Sequence, residues 1–150
     1  MAAATRQASL RAISGLMSNT PPTLDDIEAL ARAALERLPA RLRAKLDGVV
    51  IRVDEFPDDE TVAEMGFESP FDLMGLYRGV SLDRAVSADV RHDVNMIFLY
   101  RRPLLDHWCE TAEPLPRLVH HVLIHEIGHH FGLSDDDMAR MEAEADRAGR

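Results

Sequence analysis

Between residues 125 and 137 the chain reads HEIGHHFGLSDDD, and this stretch restricts the possible folds more than any other. On an α-helix His125 and His129 stand one turn apart on one face, with Cβ atoms ~5–6 Å apart, so both imidazoles can reach a common point. Glu126 lies ~100° further round the same helix. It can touch a water held at that point but is badly placed to be a third ligand of the same kind. Gly132 can take the left-handed conformation that ends a helix. Asp135, three residues beyond, can then return a carboxylate as a third ligand. A chain using these groups together must fold as helix, sharp reversal and second helix, and Ser134 with Asp137 has the spacing of a capping box for the second.

The pattern also has a plainer reading. The chain contains 7 His, so an i,i+4 pair can arise by composition. Imidazoles are favourable near a helix C-terminus, and acids at the start of the next helix suit its dipole, which accounts for Asp135, Asp136 and Asp137 together. On spacing alone both readings stand. His130 falls off the His125/His129 face and reads as a packing or hydrogen-bonding residue. His121 is one turn before His125, too far along the helix to share an ion.

Upstream the periodicity changes twice. Ile27, Leu30, Ala31, Ala34, Leu35 and Leu38 follow helical spacing, with Asp25, Asp26 and Glu28 in the first turn. Pro39 breaks or restarts that helix, and Leu42 and Leu46 carry its apolar face to Gly48. In VVIRVDEF the apolar residues Val49, Ile51 and Val53 alternate, which predicts a strand stopped by Pro57. A short helix is expected around Thr61 to Met65, and LMGLYRGVSL (73–82) suits a strand or strand-loop. NMIFLYRRP (95–103) predicts a second strand with Pro103 as its stop. After a turn-rich passage a helix runs from about Arg117 to Phe131, and a last helix runs to about Ala148. The order predicts a small α+β domain over 23–150.

Residues 1–22 contain Arg6 and Arg11 but no acid, and are rich in Ala and Ser. They lack the continuous apolar segment of a secretory signal, and read as a flexible tail ended by Pro21-Pro22. A chain of 150 residues supports one core. Its apolar fraction of 46% and charged fraction of 29% are those of a soluble globular protein. The net charge of −9 argues against nucleic acid and anionic membrane surfaces as partners. Cys109 is the sole cysteine, read as a partly buried small side chain, so no internal disulfide forms and the cytoplasm is the default location.

The pattern His125-Glu126-x-x-His129-x-x-Gly132-x-x-Asp135 resembles that of Asp-type zincin metallopeptidases. LPARLRAKLDGVVIRVDEFP, LMGLYRGV, IFLYRRPL and VLIHEIGHHFGLSDDDM, in that order, are similar to a family of minimal zincin-like metallopeptidases, over about Leu38 to Met141. The resemblance implies a zincin-like α+β fold, with a small mixed sheet packed on the metal-binding helix. It further implies Zn2+ held by His125, His129 and Asp135, Glu126 as general base, and a peptide or protein substrate. The strand near Asn95 to Arg102 is then the expected edge for an extended peptide. Met138 and Met141 fall on the predicted last helix, not on a turn beneath the metal.

Tyr77 and Tyr100 are candidates to hydrogen-bond a developing oxyanion, against the reading that both simply pack. Arg101 and Arg102 read as a solvated strand end, with a basic rim as the alternative. Three functions are compatible with these residues: a zinc peptidase, a zinc-binding or interaction module without efficient turnover, and a metal-free helical core. A homodimer is permitted but not indicated. Glu126 favours the enzyme, because a purely structural metal site has no use for a base.

Overall fold

Thr23 opens the first helix by a reciprocal cap: its hydroxyl accepts from the Asp26 N–H at 3.1 Å, and the Asp26 carboxylate accepts from the Thr23 N–H at 2.8 Å. In the computed structural model, which describes residues 20–79 and 94–148, this helix α1 (Leu24–Glu36) is followed by α2 (Ala40–Lys45), with Pro39 between them. Strand β1 (Val50–Asp54), helix α3 (Asp59–Glu64), a 3-10 turn (Pro70–Asp72) and strand β2 (Gly75–Arg78) come next. After residues 80–93, which lie outside the description along with the end of the 73–82 segment, strand β3 (Met96–Tyr100) leads into α4 (Arg101–Glu110). The chain then forms α5 (Leu115–Phe131) and α6 (Asp135–Ala148). The described residues are thus mixed α+β, as expected.

The sheet order is β1-β3-β2, with β1 parallel and β2 antiparallel to β3. Alternation sends Ile97 and Leu99 of β3 into the main core, where they meet Ile27, Ala31 and Ala34 of α1 and Leu123, Ile124 and Ile127 of α5. Phe98 and Tyr100 go to the opposite face and pack with Leu73 and Leu76. Helix α5 is enclosed along most of its length, and Ile124 and Ile127 have no exposed surface. That burial makes it a rigid carrier for the side chains at its C-terminal end.

Gly132 ends α5 at φ 69°, in the left-handed region expected for it, and the Leu133 N–H closes the end on the Gly128 carbonyl at 3.0 Å. Phe131 and Leu133 pack against the core beside this reversal. Ser134 then caps α6, its hydroxyl accepting from the Asp137 N–H at 3.2 Å. The Asp137 carboxylate meets the Ser134 hydroxyl at 2.9 Å instead of the backbone N–H, so the box is only half formed. Met138, in helix α6 as expected, lies over Gly128. A Cβ at Gly128 would run into the Met138 side chain, so the glycine leaves the space that Met138 fills between the two helices. His121 and Glu142 add a second link between α5 and α6 at 3.5 Å.

Several expectations are corrected. The second strand ends at Tyr100 and not at Pro103, which lies buried in the first turn of α4. Proline is tolerated there, since its missing N–H has no helical partner in any case. Arg101 is not a solvated strand end: its side chain is 12% exposed, donates to the Pro22 carbonyl at 2.6 Å and pairs with Glu55 at 3.0 Å. The anchor holds the start of the fold to the sheet. Cys109 proves exposed on α4. β3 is the central strand of the sheet and offers no edge; among the described residues β2 is the edge strand beside α5.

Candidate metal centre

The spacing argument for α5 holds in three dimensions. His125 and His129 face each other with ring centroids 5.0 Å apart and planes at 82°. His125, Glu126 and His129 each offer one potential ligand atom, all within 4.8 Å of one another. A tetrahedral ion with ligands at ~2.0–2.1 Å requires donors roughly 3.3 Å apart, a gap that modest side-chain rotation closes. Two imidazoles that can meet at one point, beside a carboxyl close enough to reach a water held there, suit zinc, so these residues fit that ion. His129 is exposed and His125 half-buried, which leaves the cluster open on the solvent side.

Glu126 differs from both. It is 7% exposed, and burial pushes its carboxyl up to about 7, while a hydrogen bond from the Tyr77 backbone pulls the other way. The strand and helix can approach this closely because β2 presents Gly75 here. A Cβ at Gly75 would lie 2.7 Å from Val122 Cγ1 and 3.4 Å from Glu126 Cγ. The sequence placed Glu126 next to the histidines but did not reveal its desolvation, which is imposed by a strand fifty residues earlier in the chain.

Burial of an ionisable group sets a pH dependence. The folded-state pKa of Glu126 lies above its ordinary value of 4.5, so the folded chain binds this proton more tightly than the unfolded one. Its cost is absent below about 4.5, grows as pH rises, and is complete above about 7. Metal-free Glu126→Gln protein should therefore melt higher than metal-free wild type at about pH 8, with the difference shrinking toward pH 4.5. Thermal melts in chelator across that range measure it, and equal melting temperatures at both ends would mean that the carboxylate is well solvated.

Asp135 begins α6, and the reversal at Gly132 brings its backbone back along α5. Its side chain lies outside the described residues. His130 points away from the His125/His129 pair, as expected, and is 2% exposed. Its Nε2 lies 3.2 Å from the Lys45 carbonyl and its Nδ1 2.7 Å from the Tyr77 hydroxyl. A carbonyl only accepts, so in the neutral ring Nε2 carries the proton and Nδ1 accepts from Tyr77. The Tyr77 hydroxyl proton is committed to that bond. Tyr100 is 4% exposed, its hydroxyl makes no hydrogen bond among the described residues, and burial holds its pKa up at about 12.

No helix among the described residues is long and apolar enough to cross a membrane. A family model described as zincin-like metallopeptidase matches residues 46–145, which takes in both outer strands of the sheet, β3 and the whole of α5. No curated protein matches the sequence.

Proposed function

This chain belongs to the zincin-like metallopeptidase family, and from that premise we propose that it is a zinc-dependent peptidase of the Asp type, with His125, His129 and Asp135 as ligands and Glu126 as general base. The observation that carries the reading is the pairing of two solvent-accessible imidazoles with one buried carboxyl on a single rigid helix. Three protein ligands leave a fourth position for water, the arrangement of catalytic sites. What zinc supplies when bound is Lewis acidity, lowering the pKa of water and polarising the scissile carbonyl.

The proton work falls to Glu126. Its raised proton affinity suits a group that accepts a proton from the attacking water and then delivers it to the leaving amine. Zinc in contact with the site would pull that affinity down, so the working base is more acidic than the metal-free carboxyl. Tyr77 spends its hydroxyl proton on His130, and Tyr100 lies on the sheet face opposite α5, so neither tyrosine is assigned to the oxyanion.

Peptide positioning falls to β2. The Tyr100 N–H bonds to the Met74 carbonyl, and alternation then turns the backbone groups of Gly75 and Tyr77 away from β3, to the outer edge. The Tyr77 backbone meets Glu126 on that side. A peptide added there as a further strand would run past the catalytic carboxyl, held by main-chain bonds and with little sequence selectivity. A single cysteine needs no oxidising compartment, in line with a cytoplasmic location.

Metal stoichiometry with a mixed peptide pool tests the proposal. Equimolar zinc on the native chain, strongly weakened in Asp135→Ala, together with peptide cleavage, is the expected result. Tight zinc without turnover would make the domain a metal-binding module. No zinc after loading would remove the metal reading altogether.

A further inference from the structure

We propose that His130 is a positioning residue: through Tyr77 it fixes the edge strand β2 against the helix that carries Glu126. The inference rests on the peptidase reading for its consequence, but not for its geometry. One buried ring joins three elements. His130 belongs to α5, its Nε2–H donates to the Lys45 carbonyl at the end of α2, and its Nδ1 accepts from the Tyr77 hydroxyl on β2. The Tyr77 ring also lies edge-on to the imidazole, with centroids 5.4 Å apart.

β2 is short, four residues, and among the described residues pairs only with β3. A short edge strand is held weakly unless its side chains anchor it. Gly75 and Tyr77, two residues apart, share the face toward α5. At Gly75 the missing side chain sets how near the strand comes to Val122 and Glu126; at Tyr77 the bond to His130 sets where it stops. The Tyr77 backbone is the group that bonds the Glu126 carboxylate. Releasing the Tyr77 ring therefore releases the strand edge and the orientation of Glu126 together. His130 neither faces the His125/His129 pair nor reaches the reacting atoms, so it acts through Tyr77.

The test uses the full chain and three variants: Tyr77→Phe, which removes only the hydroxyl, His130→Ala and His130→Asn. Asn can still accept from the Tyr77 hydroxyl through its amide oxygen. Amide hydrogen exchange of residue 77 is the first readout, kcat on the zinc-loaded chain the second, and zinc content the control. In Tyr77→Phe and His130→Ala the residue 77 amide should exchange about tenfold faster, the loss of roughly one hydrogen bond. Amides near Ile124 in α5 should be unchanged, and kcat should fall with zinc still bound. His130→Asn should recover most of the protection and of kcat. Unchanged exchange at residue 77, or acceleration spread equally through α5, would overturn the proposal, and so would His130→Asn behaving like His130→Ala. A native chain that cleaves no peptide would instead sink the peptidase reading, and the exchange comparison would still decide whether His130 holds the strand.

Discussion

His129→Ala is expected to abolish both zinc binding and peptide hydrolysis while leaving the fold intact. The two effects separate because His129 is exposed whereas the helix around it is held by Ile124 and Ile127. Alanine is the best helix former, so the substitution leaves the backbone of α5 its helical preference. On the proposed ligand set the metal, by contrast, loses one of three protein ligands. Removing a mere hydrogen-bond partner of a ligand costs ~10–100-fold in affinity, so removal of a ligand should exceed that range. Elemental analysis after zinc loading, beside a circular dichroism melt in chelator, checks both halves. A variant that folded and kept equimolar zinc would show that His129 is not a ligand.

Glu126→Gln should give the opposite separation, with zinc retained and turnover lost. Glutamine matches the carboxyl in size and keeps an oxygen that can accept the Tyr77 backbone N–H, so the packing between β2 and α5 should survive. It cannot take up a proton. General acid–base catalysis contributes ~10²–10⁴-fold, and kcat should fall by that order on any peptide the native chain cleaves. Glutamine at 126 retaining full activity would mean that the base lies elsewhere, and the catalytic assignment would fail even with zinc in place. The higher melting temperature expected for the metal-free variant at about pH 8 comes from the same buried charge, so activity and stability should move in opposite directions on this one substitution.

Strand β2 shows where a reading of the sequence stops. Residues 73–82 were recognisable as strand or strand-loop from their composition, but not as the edge of the sheet. Edge and centre depend on which strands pair, and the parallel register of Val50–Asp54 with Met96–Tyr100 joins segments more than forty residues apart. The same holds for Arg101: nothing in YRRP announces a guanidinium tied to Pro22 and Glu55, both distant in sequence. Helix α4 is not legible in the sequence, where Pro103 reads as a strand stop, although a proline in the first helical turn costs no hydrogen bond.

What the sequence by itself determined is local. Two histidines four residues apart, a glycine able to take positive φ at 132 and a serine cap at 134 specify helix, reversal and helix, since each depends only on neighbours within a turn or two. Tertiary structure decided what those groups can do. Glu126 is a carboxyl whose burial, beside Gly75 of β2, raises its pKa, and His130 is an anchor only because Tyr77 and Lys45 arrive from elsewhere in the chain. Helical spacing fixes direction from a single helix, but desolvation and long-range hydrogen bonds require a partner surface, and that surface exists only once the chain has folded.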